Sequence, residues 1–154
     1  MKAFLKKYYW ILLVVLVAIQ FVRIDKSNPE IIATNDLITM TQAPADIANI
    51  LKVACYDCHS NETTYPWYTN VAPISWWIKK HIDAGRNKVN YSEWGSYAAH
   101  QRKTKLEESY EITERGDMPI IFYKAVHTDA WISQEQRSAL VEWLKMEADK
   151  VTMN

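Results

Sequence analysis

The stretch Cys55-Tyr56-Asp57-Cys58-His59 decides how this chain is interpreted, because it contains both cysteines of the 154 residues. Two cysteines that are separated by two residues and followed at once by a histidine have the spacing of covalent c-type haem attachment. In that chemistry each sulfur forms a thioether to a haem vinyl group, and the adjoining imidazole binds the iron as the proximal ligand. We therefore predict one haem c, attached through Cys55 and Cys58, with His59 as an axial ligand.

Three other interpretations of the two cysteines compete with haem attachment. A zinc site normally has four ligands, and the other histidines of the chain show no paired spacing that would supply two of them. A redox dithiol is typical of a βαβ context, whereas this motif follows a predicted helix and precedes a polar loop. A disulfide across two residues would remove almost no chain entropy. Haem attachment remains the favoured interpretation.

The N-terminus carries a nearly unbroken apolar run of fifteen residues, Tyr8 to Val22, behind Lys2, Lys6 and Lys7. As a helix this run spans roughly 22 Å, which is short of the ~30 Å hydrocarbon core unless flanking residues extend it. No small-residue cleavage pattern follows it, so residues 1–25 are predicted to be a membrane anchor or, if cleaved, a signal segment. Because the cationic end stays in the cytoplasm, the rest of the chain is expected on the periplasmic side of the cytoplasmic membrane.

The remaining chain has the composition of one folded domain. Apolar residues make up 49% of the sequence, and glycine and proline are scarce at 3 and 5, so disorder is not expected. The apolar run is flanked by four cations, Lys2, Lys6, Lys7 and Arg23. Without these four, the chain has fourteen cations and eighteen anions, a net charge of 14 − 18 = −4. No basic stripe indicates a nucleic-acid partner. We divide the chain into a linker over residues 26–43 and a haem-binding domain over residues 44–150.

Helical periodicity recurs through this domain, and no window alternates long enough to predict a strand. The helical segments are residues 44–54, 74–84, 97–114 and 133–148. Gly85 is predicted to end the second helix. Ser133 with Gln136 forms a capping box at the start of the last helix, whose apolar face is expected to pack on the helix before Cys55. The fold class is therefore all-α.

A six-coordinate haem needs a second axial ligand, and Met118 is the first candidate. It lies in a loop between two predicted helices, and Pro119 removes a backbone donor and stiffens the chain that presents the thioether. His100 and His127 are the alternatives, and either would give bis-histidine ligation. The other methionines considered are expected to fill the core: Met40, Met146 and Met153.

The walls of the haem pocket are expected to include aromatic side chains. Of the six tryptophans that follow the apolar run, we expect only two or three to contact haem, and we assign Trp67 and Trp77. Arg86 is a candidate partner for a haem propionate. His81 shares a helix face with Trp77, which suits either a propionate contact or a satisfied core histidine.

Several short motifs in a fixed order give the chain a resemblance to a known family, the small bacterial haem-binding domain proteins of the c type. The matching stretches are Cys55-Tyr56-Asp57-Cys58-His59-Ser60-Asn61 with Thr63, Tyr65-Pro66-Trp67-Tyr68, Pro73-Ile74-Ser75-Trp76-Trp77, Gly85-Arg86, Asn90-Tyr91-Ser92-Glu93-Trp94, Gly116-Asp117-Met118-Pro119 and His127-Thr128-Asp129-Ala130. They extend from about residue 50 to 146. The resemblance implies a cytochrome c-like helical domain that encloses one haem, with His59 proximal and Met118 distal.

These features predict a one-electron carrier rather than an enzyme, because no catalytic acid or base is needed for electron transfer. The redox partner protein cannot be named from the residues. Two alternatives stay open. The domain could be a module that senses redox state or a diatomic gas, with Met118 displaced by the incoming molecule. A small peroxidase is the less favoured alternative, because no convincing distal histidine and arginine pair is present.

Overall fold

The computed structural model describes the backbone of residues 2–151 and the side chains of residues 8–151. Every regular element in that part of the chain is helical, which confirms the all-α prediction. The side chains of Lys2, Lys6 and Lys7, and all of Met153, lie outside the described residues. The α-helices are α1 (Lys2–Ala18), α2 (Leu37–Thr41), α3 (Ala45–Ala54), α4 (Tyr56–His59), α5 (Ile74–Lys88), α6 (Ala99–Glu114), α7 (Ile121–Val126) and α8 (Gln134–Lys150). Short 3₁₀ turns lie at Ile19–Phe21, Ala33–Asn35, Trp67–Asn70, Tyr91–Ser96 and Thr128–Ala130.

The core forms where α3, α6 and α8 meet. Helix α8 packs most extensively on α6 and also contacts α3, as its apolar face predicted. Leu51, Leu106 and Leu144 are each 1% exposed at this junction, and burying a leucine side chain stabilises a fold by about 1.5–3 kcal/mol. The capping box is confirmed, because Ser133 and Gln136 exchange side-chain and backbone hydrogen bonds. This packing supports the end of α3, from which the cysteine motif continues.

Helix α5 continues through Gly85 and ends at Lys88, so the predicted stop at Gly85 was wrong. The glycine is needed for another reason. A Cβ atom built on it would lie 2.6 Å from the carbonyl oxygen of Cys58, closer than real Cβ contacts come. Gly85 thus allows the backbone of α5 to pack directly on the cysteine motif.

The N-terminal segment is exposed along the apolar run. Trp10, Val14 and Phe21 are 66%, 65% and 82% exposed, so these residues are not part of the core. Residues 20–30, here called the N-terminal strap, are held to the domain by side-chain bonds. The Gln20 amide exchanges two hydrogen bonds with the backbone of Ala72, at 3.0 and 2.9 Å. The indole of Trp76 donates to the Val22 carbonyl oxygen at 2.9 Å.

Within residues 2–151, no helix combines the length and the apolar character needed to cross a membrane. Helix α1 has 17 residues.

Three further details differ from the sequence predictions. Met40 and Met146 are 42% and 48% exposed, so neither fills the core as expected. Helix α6 begins at Ala99 rather than at Tyr97, where the sequence predicted its start, because the preceding chain forms the 3₁₀ turn Tyr91–Ser96. Helices α2 and α7, of five and six residues, were not predicted. Both are too short for a helical period to repeat.

Candidate functional site

The cysteine motif forms a single closed turn at the end of α3. The backbone N–H groups of Cys58 and His59 both donate to the carbonyl oxygen of Cys55, at 3.2 and 2.9 Å. Both cysteines are free thiols. Burial raises the pKa of Cys55 to about 12 and that of Cys58 to about 11. Both side chains are therefore protonated at neutral pH, which does not suit a redox dithiol, whose attacking sulfur needs a lowered pKa.

The ring of His59 is held in one tautomer. Its Nδ1 donates a hydrogen bond to the carbonyl oxygen of Val89 at 3.2 Å. Because a carbonyl oxygen can only accept, Nδ1 carries the proton and Nε2 keeps its lone pair. Burial also lowers the pKa of His59, which favours the neutral ring. A neutral imidazole whose second nitrogen is fixed by a carbonyl group is the form that binds a metal ion.

A buried polar network supports the Val89 segment behind His59. The Asn90 amide donates to Asn61 Oδ1 at 2.8 Å, and the Asn61 N–H donates to Ser92 Oγ at 3.0 Å. The Asn61 amide also donates to the Glu30 carbonyl oxygen in the N-terminal strap at 2.9 Å. Asn61, Asn90 and Ser92 are each at most 5% exposed. The network ties the chain that follows the motif to the chain that carries the Val89 carbonyl group.

An apolar cavity of about 790 Å³ opens beside the motif. Its walls come from residues 63–69, from the first turns of α5, from α7, and from Cys58. The volume lies within the roughly 300–1,000 Å³ that small-molecule and cofactor sites occupy. The cavity is therefore large enough and apolar enough to hold an organic cofactor.

The structure brings some of the predicted site residues to this cavity and leaves others outside its wall. Cys58, Trp67 and Trp77 line it. The predicted residues outside the wall are Cys55, His59, Arg86, Met118 and Pro119. Cys55 packs against the core instead. Two of the six tryptophans that follow the apolar run thus line the cavity.

Arg86 is occupied by the protein itself. Its Nε donates to the Ser60 carbonyl oxygen, and its Nη2 donates to Asn28 Oδ1 and Thr63 Oγ1, each at 2.8 Å. The guanidinium group thereby joins the N-terminal strap to the loop that follows the motif.

Met118 lies half-buried between α6 and α7. Its carbonyl oxygen accepts a hydrogen bond from Arg137 Nη1 of α8 at 3.3 Å. Pro119 is buried, and Ile120, the next residue, lines the cavity. The segment that carries Met118 therefore runs along the edge of the cavity, although Met118 itself is not part of the wall.

The three histidines other than His59 differ in position. His81 and His127 line the cavity, whereas His100 is exposed on α6. His81 Nδ1 donates to the Trp77 carbonyl oxygen at 2.8 Å, and its ring lies 3.9 Å from the Trp77 ring. The hydroxyl group of Tyr68 and Nε2 of His127 share a hydrogen bond of 2.5 Å.

Several residues of the cavity were not assigned from the sequence. Tyr123 stacks on His127 with ring centres 4.1 Å apart and donates to Asp57 Oδ2 at 2.8 Å. Asp57 Oδ1 accepts from the Thr64 N–H at 2.9 Å. The hydroxyl group of Tyr65 is buried and has no hydrogen-bond partner among the described residues. The stretch Tyr65-Pro66-Trp67-Tyr68 is the signal in the sequence for this part of the cavity wall. A loop has no repeating hydrophobic pattern, so the sequence does not predict which of its rings face the cavity.

A family model described as haem-binding domain matches residues 14–146 of the chain. No curated protein and no solved structure matches the chain. The match covers the cysteine motif, the residues around the cavity and the segment that contains Met118.

Proposed function

This chain belongs to the haem-binding domain family, and from that membership we propose that it is a single-haem c-type cytochrome that transfers one electron between redox partners. Cys55 and Cys58 attach the haem, His59 is the proximal ligand and Met118 is the distal ligand. When bound, the haem iron supplies a one-electron redox centre. The protein contributes ligands, an apolar surrounding and a surface at which a partner protein docks.

The observation that carries the proposal is the state of His59 beside the two cysteines. A closed turn places Cys55, Cys58 and His59 together at haem-attachment spacing, and burial favours the neutral form of the His59 ring. The hydrogen bond to the Val89 carbonyl group places the proton on Nδ1, which leaves Nε2 available to bind iron. The same bond to Nδ1 orients the ring and increases its donor strength. A histidine with a purely structural role would not need this combination with Cys55 and Cys58.

The cavity beside the motif also fits a haem in its chemistry. Its walls are apolar and Cys58 lines it. Apolar walls exclude water from a cofactor and lower the local dielectric constant. Trp67 and Trp77 contribute aromatic surface to the same walls.

The direct test is a pyridine haemochrome assay on the full chain produced with a c-type haem maturation system. We expect one haem per chain that stays with the protein after acid-acetone extraction. Cys55→Ser and Cys58→Ser should each leave a single thioether, which shifts the haemochrome absorption, and the double variant should lose its haem on extraction. Trp131→Phe, at an exposed position outside the cavity wall, is the matched control. A full chain that holds no covalent haem contradicts the proposal.

A second function is favoured by one observation, namely that Met118 is not part of the cavity wall. A thioether that is held weakly or at a distance leaves the sixth position of the iron open to carbon monoxide or another diatomic gas. Adding carbon monoxide to the reduced protein separates the two functions. Resistance to carbon monoxide supports the electron carrier, and rapid binding at one molecule per haem supports the sensor.

We further propose that the chain is tethered through its N-terminal helix on the outer side of the cytoplasmic membrane. The proposal is supported by the exposed apolar side chains of α1 and by the basic residues that precede them in the sequence. N-terminal sequencing of the protein in the membrane fraction tests the tether. Recovery of a chain that begins near residue 25 would contradict it.

A further inference from the structure

The chain that follows α1 is bonded directly to the domain at Ala72. The side-chain amide of Gln20 donates to the Leu16 carbonyl oxygen, in the last turn of α1, at 2.8 Å and to the Ala72 carbonyl oxygen at 3.0 Å. The Ala72 N–H donates back to Gln20 Oε1 at 2.9 Å. Ala72 therefore lies within the reach of one glutamine side chain from the end of α1.

Two further bonds extend this junction. The Arg23 guanidinium group donates to the Asn70 carbonyl oxygen at 3.1 Å, and the Trp76 indole donates to the Val22 carbonyl oxygen at 2.9 Å. The position of residues 70–76 relative to the end of α1 is thus fixed by several bonds and not by a single contact.

Apolar side chains around this junction are exposed. Val71 and Ile74 are 39% and 51% exposed, and Trp67 and Phe21 are 77% and 82% exposed. We call these four residues the junction face. Trp67 and Ile74 also line the cavity, whereas Val71 and Phe21 do not, so the cavity alone does not account for the face. Clustered exposed apolar side chains mark a contact with another protein or with a membrane.

We propose that the junction face lies in the interfacial layer of the lipid bilayer into which α1 inserts. This inference rests on the tether proposed above. Helix α1 has 17 residues and spans about 26 Å, which is less than the ~30 Å thickness of the hydrocarbon core. An apolar segment that is shorter than the core thins the bilayer around it and brings its flanking residues to the headgroups. Because Ala72 is bonded to the end of α1, the junction face comes to the same depth.

The residue types at the junction suit this layer. Tryptophan is enriched where hydrocarbon meets headgroups, and Trp67 presents an exposed ring there. Arg23 and Lys26 both bind Asn70, the latter through Oδ1 at 2.6 Å, so two cations lie beside the face, where they can contact lipid phosphates. The anion between them, Asp25, accepts a hydrogen bond from the N–H two residues later in the strap. This composition favours a bilayer over a second protein as the partner.

The test uses the full-length haem-loaded protein in vesicles of phosphatidylcholine and phosphatidylglycerol. The vesicles contain a phospholipid with a photoreactive diazirine near the headgroup end of its acyl chain. After irradiation, mass spectrometry locates the lipid adducts along the chain. We expect adducts on α1 and on residues 67–74. Met40 and Met146 are the internal control, because they are 42% and 48% exposed on α2 and α8 and should carry no adduct.

A variant tests whether α1 sets the depth of the face. Gln20→Ala combined with Arg23→Ala removes side-chain bonds to Ala72 and Asn70. We expect a loss of adducts on residues 67–74 and unchanged adducts on α1. Gln134→Ala combined with Arg115→Ala, at exposed positions of α8 and the end of α6, is the matched control.

The outcomes keep the two proposals apart. Adducts on α1 without adducts on residues 67–74 would overturn this inference alone. A chain without adducts on α1 would refute the tether and this inference with it. Equal labelling of Met40, Met146 and residues 67–74 would also overturn the inference, because it would indicate nonspecific adsorption of the domain. Unchanged labelling of residues 67–74 in the strap variant would refute the role of α1 in placing the face.

Discussion

His59 and Val89 are joined by a hydrogen bond of 3.2 Å from the ring Nδ1 to the backbone carbonyl oxygen. The two residues are separated by 29 others, so the tautomer of the ring depends on the tertiary fold and not on the motif alone. Helix α5 ends at Lys88, one residue before Val89, and its packing on Cys58 through Gly85 brings this carbonyl group to the histidine. The orientation of the histidine and the packing of α5 are therefore coupled.

Replacing Gly85 by alanine should disrupt this coupling. The added Cβ would meet the Cys58 carbonyl oxygen at 2.6 Å and push α5 away from the motif. We expect Gly85→Ala to lower the free energy of unfolding by about 1–3 kcal/mol, the usual cost of overpacking a close contact. Urea denaturation followed by circular dichroism measures the change. Ala84→Ser, at the exposed neighbouring position of α5, should have little effect, and equal stability of both variants would contradict the role given to Gly85.

The supporting network behind Val89 gives a second prediction. Asn90→Ala removes the amide that donates to Asn61 Oδ1 and leaves a buried acceptor unpaired. Such a change costs about 1–3 kcal/mol of stability. In the haem-loaded protein the reduction potential should also change, because the Val89 carbonyl group, which tunes the donor strength of His59 through Nδ1, is held less firmly. Asn87→Ala on the exposed end of α5 is the control. An unchanged reduction potential in Asn90→Ala would argue against this supporting role.

The stability of the haem-free protein should depend on pH through His59. Burial lowers the pKa of this ring below its ordinary value of about 6.5. The unfolded chain therefore binds the proton first as the pH falls. We expect the contribution of His59 to the free energy of unfolding to be constant above about pH 7 and to decrease below pH 6.5, by at most about 1.4 kcal/mol per pH unit, until the folded ring is protonated as well.

Comparing His59→Gln with the wild type isolates this contribution. The variant should lose the decrease that belongs to His59, whereas His100→Gln, at an exposed site on α6, should keep it. Parallel pH profiles of wild type and His59→Gln would contradict the assignment.

The distal ligand gives a fourth prediction. Met118→Ala should abolish the thioether-to-iron charge-transfer band of the oxidised protein and lower the reduction potential, since a thioether favours ferrous iron. Covalent haem content should stay at one per chain, because Cys55 and Cys58 are intact. Absorption spectroscopy and redox titration check both effects. Met146→Ala removes an exposed methionine as the control. A spectrum that Met118→Ala leaves unchanged would direct the search for the ligand to His81 and His127 in the cavity wall.

The sequence predicted features whose cause is local. Ile47, Ile50 and Leu51 recur with the period of a helix and are buried on α3, and the capping box at Ser133 begins α8 where expected. Gly85 shows where local signals fail. A glycine near the end of a helical pattern is typical of a stop, but here it serves a contact with Cys58, 27 residues earlier in the chain.

The candidate site likewise has one part that the local sequence predicts and another that only the tertiary fold determines. The chemistry of Cys55, Cys58 and His59 follows from their spacing and needs no knowledge of the fold. The cavity wall forms where α7 lies next to the loop over residues 63–69. Hydrophobic periodicity does not predict a contact between two segments that are distant in the sequence. Met40 and Met146 were expected inside for their apolar character alone, yet both are exposed. Side-chain type is a weaker guide to burial than periodicity.

The N-terminal strap also determines how the domain can turn about α1. Gln20, Val22 and Arg23 bind the chain at Ala72, Trp76 and Asn70, in the last case from the Arg23 guanidinium to the Asn70 carbonyl oxygen at 3.1 Å. These contacts begin within two residues of the end of α1. The unbound chain between α1 and the domain is therefore too short to act as a flexible hinge. The cavity therefore keeps a set angle to the α1 axis, and whatever holds α1 also fixes the direction from which another molecule can approach.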